Sequence, residues 1–256
     1  MSVAPLVRSG LVAALLLSST AATSGCISAQ RQEKAAGRVT LGSAYLREGN
    51  LPGAIETLEE GAKLDRRNWA AWNKLGLAYM AAGAYDKADE AFLKALDIVP
   101  EEAEALTNYG SFLIRAGRPA EAIPILEKAG QDLTYRKPAI PLSNLGYAYL
   151  ELGQPDMAVG ILSDAIRRAP NLCQARFLRG MAYSELDKPG RALDDFDVVV
   201  QLCGEEATGA YFQAGKLLLD SNKRDEGCSY LLTAMEDAGD SELGHQARDL
   251  HKTACR

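Results

Sequence analysis

The stretch that decides the fold is WAAWNKLGLAYMAAGAYDKADEAFLKALDIVPEE, residues 69–102. Large apolar, small and proline residues stand at eight characteristic offsets within it: Trp72, Leu75, Gly76, Tyr79, Ala88, Phe92, Ala95 and Pro100. Many of these offsets recur about every 34 residues in both directions along the chain. Such a period is the sign of an internally repeated unit, and it sets the architecture before any single element is assigned.

The eight residues and their spacing resemble the tetratricopeptide repeat, a helical hairpin of 34 residues. The resemblance implies an all-α chain of six hairpins, at 35–68, 69–102, 103–136, 139–172, 173–206 and approximately 208–241, followed by a capping helix over 241–256. A single hairpin cannot bury its apolar face alone, so stacked hairpins form an α-solenoid whose open end needs a polar cap.

The repeated positions have a direct physical meaning. Glycine at the eighth position, as in Gly76, and alanine at the twentieth, as in Ala88, remove side chains where the two helices of a hairpin cross closely. The leucine, tyrosine and phenylalanine positions, Leu41 in the first hairpin among them, are expected to fill the space between hairpins. The core is therefore predicted to be shared between neighbouring repeats.

Residues 1–25 are predicted to be an export signal. Arg8 is followed by an apolar run from Gly10 to Leu17 that is too short to span a membrane, and then by small residues. Two processing routes fit: ordinary cleavage after Thr20-Ala21-Ala22, or acylation of Cys26, because Thr23-Ser24-Gly25-Cys26 resembles a bacterial lipobox with Thr in place of the usual Leu. Lipidation is the preferred route, with residues 26–34 as a short tether.

The charge of the chain limits the kinds of partner it can bind, and its cysteines indicate disulfides. The chain has 28 basic and 34 acidic residues, a net charge of −6, and removal of residues 1–25 takes away one base and no acid. Such a surface repels phosphate backbones, so nucleic acid is not expected as a partner. Four cysteines follow Cys26, and in an exported chain they indicate disulfides with three possible connectivities. Antiparallel hairpins favour the pairing Cys173–Cys203 with Cys228–Cys255.

In the tetratricopeptide family, the fifth, ninth and twelfth positions of each first helix line a concave surface. The corresponding residues predicted here to form a partner-binding groove are Val39, Leu46, Asn73, Leu77, Met80, Ile114, Tyr147, Leu150, Phe177 and Met181. A largely apolar strip predicts an extended or helical protein segment as the ligand. The alternative is that individual members only pack against neighbouring hairpins.

Nothing in the sequence indicates catalysis. His245 and His251 stand six apart, which places them on different sides of a helix, and there is no glycine-rich phosphate loop or nucleophile elbow. The adjacent acids Glu59-Glu60, Glu101-Glu102 and Asp194-Asp195 are predicted to face solvent. No enzyme activity, metal, cofactor or small-molecule substrate is expected.

An exported chain of six repeats with a lipobox-like cysteine resembles the type IV pilus biogenesis lipoproteins of the PilF, PilW and Tgl kind, the secretin pilotins. The local similarity is greatest at the joint DLTYRKP, residues 132–138, which leads into LSNLG, residues 142–146. The resemblance implies a lipid anchor on the periplasmic face of a Gram-negative outer membrane. It also implies binding of secretin subunits, which we place in the groove from Val39 to Ile114. The alternative is a lipid-anchored adaptor for peptidoglycan enzymes, proteases or outer-membrane protein assembly.

Overall fold

A computed structural model describes residues 12–132 and 135–255, without the side chains of 12–28 and 205–206. Within those ranges the chain forms thirteen α-helices and no strand, so the predicted all-α array of helical hairpins with a terminal capping helix is confirmed. Part of the predicted export signal (residues 1–11), the Cys26 side chain, and Leu133 and Thr134 of the joint lie outside the described part.

The helices fall into two compact units that divide after Pro100. Unit 1 contains α1 Val12–Arg47, α2 Leu51–Leu64, α3 Trp69–Ala81 and α4 Tyr85–Ile98. Unit 2 contains α5 Ala103–Arg115, α6 Pro119–Gln131, α7 Ala139–Glu151, α8 Pro155–Arg168, α9 Cys173–Glu185, α10 Pro189–Cys203, α11 Thr208–Asp220, α12 Arg224–Ala238 and α13 Glu242–Ala254. A 3-10 turn, Gly204–Ala207, precedes α11.

Local chemistry sets where the helices begin and end. The Asn68 side chain caps α3 by accepting a hydrogen bond from the Ala71 amide at 3.0 Å. In four hairpins the turn after the first helix holds a glycine with positive φ, such as Gly83 at 73°. Asp187 (φ 53°) and Asn222 (φ 60°) take this place in the fifth and sixth hairpins, because their short polar side chains tolerate the left-handed region.

The crossing of the two helices in a hairpin depends on the glycine at the eighth position. A Cβ on Gly76 would lie 2.8 Å from the ring of Phe92, and one on Gly180 would lie 2.6 Å from the ring of Phe196. Both rings are fully buried. The glycines therefore allow a close approach of helices that any side chain would obstruct.

The end of unit 2 is closed by packing and by disulfides. Helix α13 packs on α12, where Ala247 joins a buried cluster with Phe212 and Leu231. Disulfides join Cys173 to Cys203 and Cys228 to Cys255, with Cα–Cα distances of 6.4 and 5.8 Å. These are the two pairs preferred from the sequence, and they link α9 to the end of α10 and α12 to the end of α13.

Candidate functional site

The predicted groove residues differ widely in exposure. Asn73 is fully buried and Ile114 is 6% exposed, so neither presents a side chain to a partner in this conformation. The others are half-buried: Val39, Leu46, Leu77, Met80, Tyr147, Leu150, Phe177 and Met181. We call the predicted groove positions of each unit its inner face; most of the apolar side chains at these positions are partly covered.

Packing within the chain accounts for part of these strips. Leu46 packs against the buried cluster of unit 1 that contains Leu58 and Leu75. Phe177 and Met181 pack against a buried cluster of unit 2, and the Phe177 ring lies 5.8 Å from that of Phe196, centroid to centroid. The inner-face residues with no such role in these clusters are Val39, Leu77, Met80, Tyr147 and Leu150.

Two tyrosines add polar groups to this part of unit 2: Tyr147, which is a predicted groove residue, and Tyr135, which the repeat pattern does not identify. Tyr135, from the joint, lies beside Thr107 of α5, and burial together with the charge of Glu104 raises the pKa of Tyr135. On α7, burial and a hydrogen bond with Glu151 raise the pKa of Tyr147. Both phenols are neutral at neutral pH, as an unshifted tyrosine is, and their hydroxyl groups add polar atoms to these otherwise apolar positions.

A second apolar surface lies at the N-terminal edge of unit 1, between α1 and α2. Leu41 and Leu64 are 39% and 37% exposed, and with Gly37 they line an open groove of about 710 Å³. The expectation that Leu41 fills space between hairpins is wrong, because no earlier hairpin precedes α1 in the described residues; the equivalent Leu75 is 2% exposed.

The rim of this groove is charged. Lys34, Arg38 and Lys63 surround it with one acid, Glu60. Arg38 and Glu60 form a half-exposed ion pair at 3.0 Å, which contributes little to stability. The groove therefore combines an apolar floor with a surplus of positive charge. A segment that docks here would need an apolar face with acidic flanks.

The prediction that the adjacent acids face solvent is wrong for Asp195, which is 4% exposed. Both of its oxygens accept hydrogen bonds from Arg179, each at 2.7 Å. Glu59 is half-buried, and it accepts a hydrogen bond from the Tyr79 hydroxyl at 2.6 Å, which is the largest cause of its lowered pKa. A period of 34 residues does not identify either pairing, since each depends on which residue occupies a facing helix.

The described residues give no indication of a metal centre. No group of three His, Cys, Asp or Glu side chains is placed to hold an ion, again within the described part. His245 is exposed and His251 is half-buried, both on α13. None of the helices that the structure describes is both long and apolar enough to cross a membrane.

Comparison with known proteins gives the following relationships. The Tetratricopeptide repeat family matches residues 39–103 and 143–207, and a second Tetratricopeptide repeat family matches 79–140. The Type IV pilus assembly protein PilF of Pseudomonas aeruginosa is 30% identical over 137 residues, which make up 54% of this chain and 54% of PilF. The chain is thus homologous to PilF over about half the length of that relative.

Solved structures extend the likeness in fold. The crystal structure of PilW, described as a widely conserved type IV pilus biogenesis factor, has a TM-score of 0.73 at 26% identity, over 84% of this chain and 98% of PilW. The Pseudomonas aeruginosa PilF structure has the same TM-score at 24% identity, over 86% of this chain and 99% of PilF. A more distant relative, the human aspartyl/asparaginyl beta-hydroxylase, is 27% identical over 112 residues, 44% of this chain and only 14% of the hydroxylase.

Proposed function

The chain belongs to the tetratricopeptide repeat proteins, and from that premise we propose that it is a non-catalytic scaffold of type IV pilus biogenesis that binds secretin subunits. Support comes from PilF and PilW, which are respectively a pilus assembly protein and a pilus biogenesis factor. Tetratricopeptide arrays are binding surfaces, and repeat proteins of this kind use extended faces to hold other polypeptides.

The proposal places the protein at the periplasmic face of the outer membrane, attached through acyl chains on Cys26. The sequence Thr23-Ser24-Gly25-Cys26 supports this attachment. A single acyl chain gives only marginal membrane binding, so stable attachment needs more than one chain on the cysteine. The anchor holds the scaffold where a secretin reaches the membrane and promotes its delivery, stabilisation or multimerisation.

The observation that carries the proposal is the exposed and partly exposed apolar surface of unit 1. Leu41 and Leu64 are exposed in the groove between α1 and α2, while Val39, Leu77 and Met80 are half-buried residues of the predicted inner face. Grouped exposed side chains of this kind mark a protein contact more often than an isolated leucine does. We place the apolar anchors of the secretin segment on one of these two surfaces.

The experiment measures secretin multimers in membranes of a strain that expresses only the variant protein. Leu41→Glu/Leu64→Glu tests the edge groove, and Leu77→Glu/Met80→Glu tests the inner face. Leu93→Glu is the matched control, because Leu93 is 50% exposed on α4 of the same unit. We expect one of the two double variants to lose both the multimers and co-purification of the secretin, while the control keeps both.

Two further results bear on the proposal. Secretin multimers that form normally without this protein would contradict it, and recovery of a peptidoglycan enzyme in place of the secretin would favour the adaptor alternative. A Cys26→Ala variant should leave the outer-membrane fraction. If it stays there, the lipid anchor is wrong even where the scaffold role holds.

A further inference from the structure

The second hairpin shows how a neighbouring helix covers the positions that line the groove between α1 and α2, the edge groove. Residues of the first hairpin have equivalents in the second hairpin 34 residues further along the chain. Three positions of α3 are almost fully buried, at 0%, 2% and 0% exposed: Ala71, Leu75 and Ala78. Their equivalents on α1 are Gly37 and Leu41, which are exposed, and Ala44, which is half-buried. The same stripe is therefore covered on α3 and open on α1.

Helix α2 covers this stripe on α3. An added Cβ on Gly61 of α2 would lie 3.9 Å from the Cβ of Ala71, and Leu75 shares a buried cluster with residues of α2. Towards the end of α3, the Tyr79 hydroxyl donates a hydrogen bond to Glu59 Oε1 at 2.6 Å. Because the later residue of α3 meets the earlier residue of α2, the two helices are antiparallel.

The tyrosine of this contact has a counterpart on α1. Tyr45 is the equivalent of Tyr79, and it lies one turn after Leu41 on the same side of α1. Tyr45 is half-buried, and in the described part of the chain no hydrogen bond joins its hydroxyl to another group. A carboxylate placed on a docked helix as Glu59 is placed on α2 would accept a hydrogen bond from it. The edge groove therefore offers an apolar stripe and one directed donor.

The charge of the groove rim favours an acidic segment. Arg38 pairs with Glu60 at 3.0 Å, and Lys63 lies 3.3 Å from Glu59 on the same helix. Lys34 lines the groove as well, and none of the ion pairs among the described residues includes it. One positive charge is thus left over, so a segment with a carboxylate facing the groove is attracted and a basic segment is repelled.

We propose that the edge groove binds one α-helix of the client protein, which packs antiparallel to α1 in the way that α2 packs on α3. The inference rests on the proposed function for the existence of a client, and it commits the client segment to this groove. The docking helix presents an apolar residue, a glutamate four residues later and a small residue three further on, as Ile55, Glu59 and Ala62 do on α2. Its glutamate accepts a hydrogen bond from the Tyr45 hydroxyl.

The shape of the groove favours a helix over a membrane surface. Leu41 and Leu64 line a channel of about 710 Å³ between two helices. A helix about 10 Å across can lie along such a channel, whereas a bilayer surface is broad and does not enter it. The hydrogen-bond donor at Tyr45 also needs one acceptor at a fixed place, which a helix residue provides.

The test measures binding of a helical peptide to the full chain by fluorescence polarisation. The probe is the fluorescein-labelled peptide of residues 51–64, the sequence of α2, for which we expect saturable binding. Leu41→Glu should abolish binding, and Tyr45→Phe should weaken it about threefold to tenfold through loss of one hydrogen bond. The matched control is Tyr79→Phe, which removes the same hydroxyl where Glu59 already accepts from it, and this variant should bind as the wild type does.

A second peptide with Glu59→Ala isolates the directed contact. With this peptide, Tyr45→Phe and the wild type should bind equally, because the hydroxyl then has no carboxylate to meet. A Tyr45→Phe effect of the same size with both peptides would overturn the proposed contact. Absence of saturable binding to the wild type, or undiminished binding by Leu41→Glu, would overturn the docked helix.

Two other occupants would also overturn the proposal. Binding of the wild type to phosphatidylglycerol vesicles without binding of the peptide would identify a lipid surface as the occupant. A dimer in analytical ultracentrifugation that Leu41→Glu dissociates, again without peptide binding, would identify a second copy of this chain.

These results are distinguishable from failure of the proposed function. If Leu41→Glu/Leu64→Glu cells lose secretin multimers but the peptide does not bind, the scaffold role stands and the helix is wrong. If the peptide binds with the expected dependence on Tyr45 but secretin multimers form without this protein, the helix site stands and the secretin client is wrong.

Discussion

The close helix crossing inside each hairpin makes a sharp prediction for two glycines of unit 2. Gly180 faces the fully buried ring of Phe196, with ring atoms 2.6, 2.9 and 3.0 Å from the position of an added Cβ. Gly160 lies in the middle of α8, and nothing lies within 4 Å of an added Cβ there. We expect Gly180→Ala to destabilise the fold and Gly160→Ala to stabilise it.

The magnitude follows from two opposing effects. Alanine is better than glycine in a helix interior by about 1 kcal/mol, and both sites gain this. Overpacking a well-packed core costs about 1–3 kcal/mol. Only Gly180 bears this cost, because the Phe196 ring that faces it is fully buried. Because both variants gain the same helix propensity, this gain cancels when the two are compared. Their free energies of unfolding should therefore differ by the overpacking cost alone, about 1–3 kcal/mol.

Urea denaturation of both variants, with the disulfides intact, measures this difference from the transition midpoints at equal slope. A second variant, Gly180→Ala/Phe196→Ala, should be less destabilised than the sum of its single changes, because loss of the ring removes the atoms that the new methyl group would meet. If Gly180→Ala proved as stable as Gly160→Ala, the crossing would not be limited by the eighth-position glycine. The account of hairpin packing given above would then be wrong.

Three further predictions concern the disulfides and the polar pairs. Cys228→Ser/Cys255→Ser should lower the free energy of unfolding by about 3 kcal/mol, since the bridge closes a loop of 27 residues, and calorimetry checks this. Burial and a carboxylate partner raise the pKa of Tyr79 to about 12, so the contribution of Tyr79 to stability is present below pH 10 and is lost as the pH rises through 12. In an ultraviolet titration, the Tyr79→Phe variant should show one fewer tyrosine that ionises at this high pH. Asp195→Ala should destabilise the fold by about 3 kcal/mol, whereas Arg179→Leu/Asp195→Ala should be close to neutral in urea denaturation.

The hairpins and their order could be predicted from the sequence because the repeat ties residue type to place in the fold. Glycine at the eighth position appears where helices cross, and the turn position that is Gly83 in the second hairpin is Asp187 in the fifth, with a positive φ in both. The preferred pairing of Cys173 with Cys203 followed from the same logic, since one begins α9 and the other ends α10. These features are local, or join elements adjacent in sequence.

The exposure of the candidate sites could not be predicted in the same way. A repeat position predicts only the average environment of the residue that occupies it. Leu41 is more exposed than this average, because α1 is the first described helix and no earlier hairpin covers it. Asp195 departs in the opposite direction, since Arg179 on the facing helix makes its burial possible. Each case depends on a neighbour that the period does not encode.

The surface that we propose for binding in unit 1 therefore includes a position where the repeat environment is interrupted. Residues that follow the repeat pattern are mostly buried or packed within the chain: Leu75 is 2% exposed, and the ring of Phe177 packs against that of Phe196. Leu41 stays exposed, because no earlier hairpin covers it within the described residues. A substitution at such a position changes what the surface can hold without removing a core contact. Variants there should separate binding from folding more cleanly than variants in the regular inner strips.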